Sequence, residues 1–89
     1  MMFIITLKDK PDGVFSIIDK MSGEQIIPIF ENEDDADRYH GLLEIHDTYP
    51  DMQVYEIEKD IIVSACFERD QRYAIITEDD FIIPPKELA

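Results

Sequence analysis

Cationic residues are scarce in this chain: eight Lys and Arg stand against twenty-one Asp and Glu, a formal net charge of -13 over 89 residues. An excess of that size repels nucleic-acid phosphates and the anionic face of membranes, so neither DNA, RNA nor a bilayer is an expected partner. Cysteine occurs once, at Cys66, which leaves no intramolecular disulfide and no cysteine-built zinc or iron–sulfur site and fits a reducing compartment. No apolar run approaches the roughly 20 residues that a bilayer span needs. The strand-like start, Met2-Phe3-Ile4-Ile5-Thr6-Leu7, has no basic residue before it and is too short for a secretory leader. A soluble cytoplasmic protein is therefore expected. Also missing are a nucleophile with its base, a phosphate loop, a set of metal ligands, an internal repeat and a low-complexity tract. The residues by themselves name no reaction, and no enzymatic activity, metal or cofactor is expected of them.

What is present reads as one small domain spanning 1–89. Hydrophobic residues make up 45% of the chain and fall in periodic runs, so the 33% of charged residues does not make it a disordered polymer. Residues 2–8 form a β-branched apolar run that ends at Asp9-Lys10-Pro11-Asp12-Gly13, a turn cluster. Residues 14–19 repeat the pattern, residues 20–24 reverse the chain, and residues 25–30 make a third strand. Pro28 inside that run cannot donate to a ladder and predicts an edge position or a bulge.

A helix follows. Asn32 offers a side-chain oxygen to free backbone N–H groups, and Glu33, Asp34 and Asp35 put negative charge on the positive end of the helix dipole. Ala36, Tyr39, Leu42, Leu43 and His46 recur at three- and four-residue spacing as one apolar stripe, and Pro50 ends the helix before it. Gly41, costly inside a helix, predicts a close approach of some other group. Residues 52–57 read as a fourth strand. Residues 61–67 are β-branched, yet Ile61, Ile62, Ala65 and Cys66 fit a helical stripe with Asp60 as N-cap, and the helix reading is preferred. Residues 73–77 give a fifth strand; Glu78-Asp79-Asp80 turns the chain, Phe81-Ile82-Ile83 adds a short extended piece, and Pro84-Pro85 stops it.

The expected fold is α+β, with a single mixed sheet of about five strands and two helices packed on one face, in the order β-β-β-α-β-α-β. Both alternating sets in the first three strands are apolar, as in Phe3, Ile5 and Leu7 against Met2 and Ile4. Such strands want cover on both faces. Two helices on one face would leave the other bare, and a homodimer through the apolar sheet face would cover it.

Glu31, Glu33, Asp34, Asp35 and Asp37 could be taken for ligands of a hard cation, but they lack the glycine and terminal bidentate Glu of a calcium loop, and helix capping accounts for most of them. His40 and His46, six residues apart, fall about 240° apart around a helix and cannot chelate one ion as an i, i+4 pair does. Cys66 reads as a small core residue, since a reactive thiol needs exposure and a cation, although Arg69 and Arg72 follow it. Tyr39 reads as core. Arg38 reads as the helix-surface partner of Asp34 or Asp35, and together with the acidic group it forms the candidate interaction surface.

Three stretches carry a resemblance to a known family: Gly13-Val14-Phe15-Ser16; Phe30-Glu31-x-Glu33-Asp34-Asp35-Ala36-x-Arg38-Tyr39 followed by Leu42-Leu43-Glu44; and Cys66, Tyr73 and Pro84-Pro85. In these the chain resembles domain of unknown function 3110, a group of short uncharacterised proteins of cyanobacteria, chloroplasts and cyanophages. The likeness spans most of the chain, and its middle motif is the specific part. It implies a small α/β domain with no established activity. The family pattern has a small residue where His40 stands and Gln where His46 stands, which weighs against a role for either histidine. The expected function is thus a non-catalytic protein-interaction or regulatory module of a photosynthetic microbe or its phage. The alternative is an acidic decoy that mimics nucleic acid and occupies a nucleic-acid-binding protein.

Overall fold

The computed structural model describes residues 1–10, 12–45 and 50–77. Seven elements follow the expected order: β1 (Met2–Leu7), β2 (Ile17–Ile18), β3 (Gln25–Phe30), α1 (Glu33–Ile45), β4 (Met52–Ile57), α2 (Lys59–Glu68) and β5 (Arg72–Ile76). The strands form one mixed five-stranded sheet. β1 is antiparallel to β4 along its whole length, from Met2 opposite Ile57 to Leu7 opposite Met52, and meets β3 at Phe3 opposite Phe30. β3 runs parallel to β5, from Ile26 opposite Arg72 to Phe30 opposite Ile76. The turn at Glu78–Asp80, the extended piece at Phe81-Ile82-Ile83, Pro84-Pro85 and His46 lie outside the described residues.

Residues 14–18 are shared between two strands, which is why β2 is only two residues long. Val14 bridges Thr6 and the Phe15 N–H donates to the Ile5 carbonyl at 2.7 Å, after which Ile17 and Ile18 move over to Ile26 and Gln25 of β3. β1 and β2 thus occupy the same edge of β3, one at each end. Pro28 sits between them. The Glu31 N–H donates to the Ile76 carbonyl at 3.0 Å, so odd-numbered N–H groups of β3 point to β5. The N–H that Pro28 lacks would face the gap between β2 and β1. The strand is therefore not the sheet's edge, as Pro28 predicted; the residue pairs with Ala74 of β5 on one flank, and on the other its nitrogen faces the gap between β2 and β1, where a missing donor costs no ladder bond.

The expectation of two helices on one face is overturned. Successive residues of β1 go to separate cores: Met2 and Ile4 pack with Ile27, Ile29 and with Ile62 and Cys66 of α2, whereas Ile5 packs with Phe30, Ile76 and with Ala36, Tyr39 and Leu43 of α1. Neighbouring strand residues point to opposite faces, so α1 and α2 cover opposite faces and the sheet is the middle of three layers. The cause lies in the strand order. The connection β3-α1-β4 steps over β1 in one direction, and β4-α2-β5 steps back over β1 and β3 in the other. β3, β4 and β5 are mutually parallel, and two crossovers of one hand that move in opposite directions put their helices on opposite faces. Each face of the two-sided apolar strands thus carries a helix of the same chain, so among the described residues neither face is left bare in the way the homodimer expectation assumed.

Two smaller expectations also change. The N-cap of α2 is Glu58, not Asp60, which lies in the first turn; Glu58 has extended backbone and makes no side-chain cap bond. At Gly41 an added Cβ would meet nothing within 4 Å, so among the described residues no group approaches the helix there.

Candidate interaction surface

The start of α1 is built as the sequence specifies. The Asp34 N–H donates to Asn32 Oδ1 at 2.8 Å, which satisfies one of the first-turn donors that a helix leaves open, and the Ala36 N–H donates to the Asn32 carbonyl at 3.2 Å as the first bond of the helix itself. Ala36, Tyr39 and Leu43 point inward and are buried, with the Tyr39 ring tilted against Phe30 and Phe15 at centroid distances of 5.6 and 6.0 Å. This anchoring aims the other side of the first two turns at solvent.

The six candidate residues are brought together there. Glu31, Glu33, Asp34, Asp37 and Arg38 are exposed and Asp35 is half-buried. Arg38 Nη1 reaches Asp35 Oδ1 at 3.3 Å, one turn away, which decides the pairing in favour of Asp35. With the Arg38 side chain 74% exposed, that pair is worth only a few tenths of a kcal/mol. Glu31, Glu33, Asp34 and Asp37 make no side-chain ion pair among the described residues. Their field therefore points outward, with a single cation to offset it.

The other residues that could carry chemistry are occupied structurally. His40 Nε2 lies 2.7 Å from the Met52 carbonyl and its Nδ1 lies 3.6 Å from Glu44 Oε1, so the ring joins α1 to the start of β4. Cys66 is buried in the core under α2, and burial pushes its thiol up while the nearby Arg69 cation pulls it modestly down. Arg72 is drawn to Glu24 at 2.7 Å, and that bond holds its guanidinium above its ordinary value. Among the described residues no group of three or more His, Cys, Asp or Glu is placed to hold a metal ion, and no helix is long and apolar enough to cross a membrane.

Residues 2–86 match the family described as Domain of unknown function (DUF3110), nearly the whole chain. No curated protein and no solved structure matches it.

Proposed function

The chain belongs to the DUF3110 family, and from that premise we propose that it is a non-catalytic protein-interaction module that docks a basic protein through the acidic start of α1. The observation that carries this reading is the group of four outward carboxylates, Glu31, Glu33, Asp34 and Asp37, packed into seven residues at the start of α1 and without an ion-pair partner among the described residues. Such a patch speeds encounter with a positive surface and makes association salt-dependent. The role is that of a regulatory or adaptor domain in the cytoplasm of a photosynthetic microbe or of a cell infected by its phage.

A nucleic-acid decoy is the second reading, favoured by the net charge of -13. It needs carboxylates in rows over one face. Here the exposed acids of α1 and those of α2, Asp60 and Glu68, belong to helices on opposite sides of the sheet, which favours docking by one helix end.

Affinity capture from a cyanobacterial lysate, with the native chain beside Glu31→Lys/Asp37→Lys and beside Arg38→Glu, tests the proposal. The native chain is expected to retain basic proteins that elute as ionic strength rises beyond about 0.15 M, and the lysine double variant is expected to lose them. Recovery of the same proteins by all three chains would refute the epitope.

A further inference from the structure

The outer layer formed by α2 does not fill the space beneath its second half. An open-mouthed cavity of about 160 Å³ lies between that helix and the sheet. Its floor is apolar: Val14 and Ile27 from the strands, Ile62 and Cys66 from the helix. The sequence accounts for the opening, because the position of α2 that faces the gap beside Cys66 is Ala65, whose methyl group is the smallest side chain that could stand there. A void of this size is not trivial. An apolar cavity of about 150 Å³ in another protein holds a benzene molecule.

The mouth is polar and carries a cation. Arg69 lies on it and makes no side-chain ion pair or hydrogen bond among the described residues. Its guanidinium is an exposed cation at the edge of the cavity, engaged by no carboxylate among the described residues. A guanidinium presents a planar fork that fits a carboxylate through two parallel bonds. Asp12 lies on the rim as well, and its charge disfavours a ligand carrying more than one negative charge.

We infer that this cavity binds a small monocarboxylate with an apolar body, its carboxylate on Arg69 and its hydrocarbon or ring over Val14, Ile27, Ile62 and Cys66. The inference is independent of the docking surface, which lies on α1 across the sheet. Occupancy would tie the C-terminal half of α2 to the hairpin that carries Val14, so the ligand would set the rigidity of that layer.

An amide NMR titration of the full chain with benzoate tests it, with benzyl alcohol and formate as probes of the same ring without charge and of charge without a ring. Benzoate is expected to shift the cavity-lining amides saturably at about a millimolar or below, the range open to a ligand of this size. Benzyl alcohol and formate are expected to bind at least about tenfold more weakly, and Arg69→Gln to weaken benzoate by a similar factor. Ala65→Leu, with a native-like spectrum, is expected to abolish the shifts by filling the space. Arg69 is exposed, so its variant removes the cation without opening the core. The inference is overturned by an absence of saturable shifts, by equal affinity in Arg69→Gln, by formate matching benzoate, or by unchanged binding in Ala65→Leu.

Discussion

The Gln71 N–H reaches back to the Cys66 carbonyl at 2.7 Å and closes the end of α2. With the Asp70 N–H bonded to the Phe67 carbonyl at 3.2 Å, this is the Schellman pattern, and it forces the residue between into the left-handed region, where Asp70 has φ 54°. That position favours glycine, because an L side chain there crowds the following carbonyl. Asp70→Gly is therefore expected to stabilise the domain by about 1 kcal/mol, read as a rise in urea midpoint at unchanged slope. A loss of stability would show that the Asp70 carboxylate does something that its geometry does not reveal.

Gly41 offers a second gain. It sits inside α1 with nothing among the described residues within 4 Å of the Cβ it lacks, so what it contributes there is the backbone freedom it adds to the unfolded chain. Gly41→Ala is expected to raise stability by about 0.5–1 kcal/mol. Thermal unfolding checks it, and a fall in midpoint would mean that another part of the chain packs against the helix at that position.

The start of α2 is under-capped by the same reasoning. Glu58 has φ −69° and ψ 141°, suited to an N-cap, but its side chain bonds no helix N–H. A shorter hydroxyl or carboxylate reaches where Glu does not. Glu58→Ser is expected to add about 1 kcal/mol, whereas Asp60→Ala, at a first-turn site that bears only on the dipole, is expected to cost about 0.3–1 kcal/mol. Comparing the two midpoints decides which residue governs the helix start.

How much of this was legible in advance depended on whether the signal was local. The cap at Asn32 and the stripe of Ala36, Tyr39 and Leu43 are set by residues within two turns, and α1 forms where they place it. Residues 61–67 are β-branched but fold as helix, since Ile62 and Cys66, four apart, find the same core; the period outweighed the propensity. The side of the sheet that α2 covers could not be read, because it follows from the order in which β1, β3 and β4 pair, and every pairing there is long-range. Pro28 misled for the same reason: its strand is interior, and the handover from β2 to β1 leaves only that one flank of it unpaired. The acidic surface was readable residue by residue. The cavity was not, since the smallness of Ala65 and the freedom of Arg69 matter only once Val14 and Ile27 are brought beneath them.

Cys66 gives a prediction with a defined sign. Burial raises its thiol above the ordinary 9.0, against a smaller opposing pull from Arg69, so the folded chain holds that proton more tightly than the unfolded one. The stability this contributes is complete below 9.0 and is lost as pH rises through the raised value in the fold. Other groups titrate in the same range, so the measurement is the difference in urea midpoint between the native chain and Cys66→Ala. That difference is expected to be constant from pH 6 to about 8 and to shrink above 9 as the native chain must ionise a buried thiol. Alkylation should agree with it: at neutral pH Cys66 is expected to react at least about tenfold more slowly than in urea, because the reagent must wait for α2 to open. A midpoint difference that stays flat to high pH, together with fast alkylation of the folded chain, would mean that the thiol is not held neutral under α2, and the packing of Ile62 and Cys66 against Ile27 would have to be redrawn.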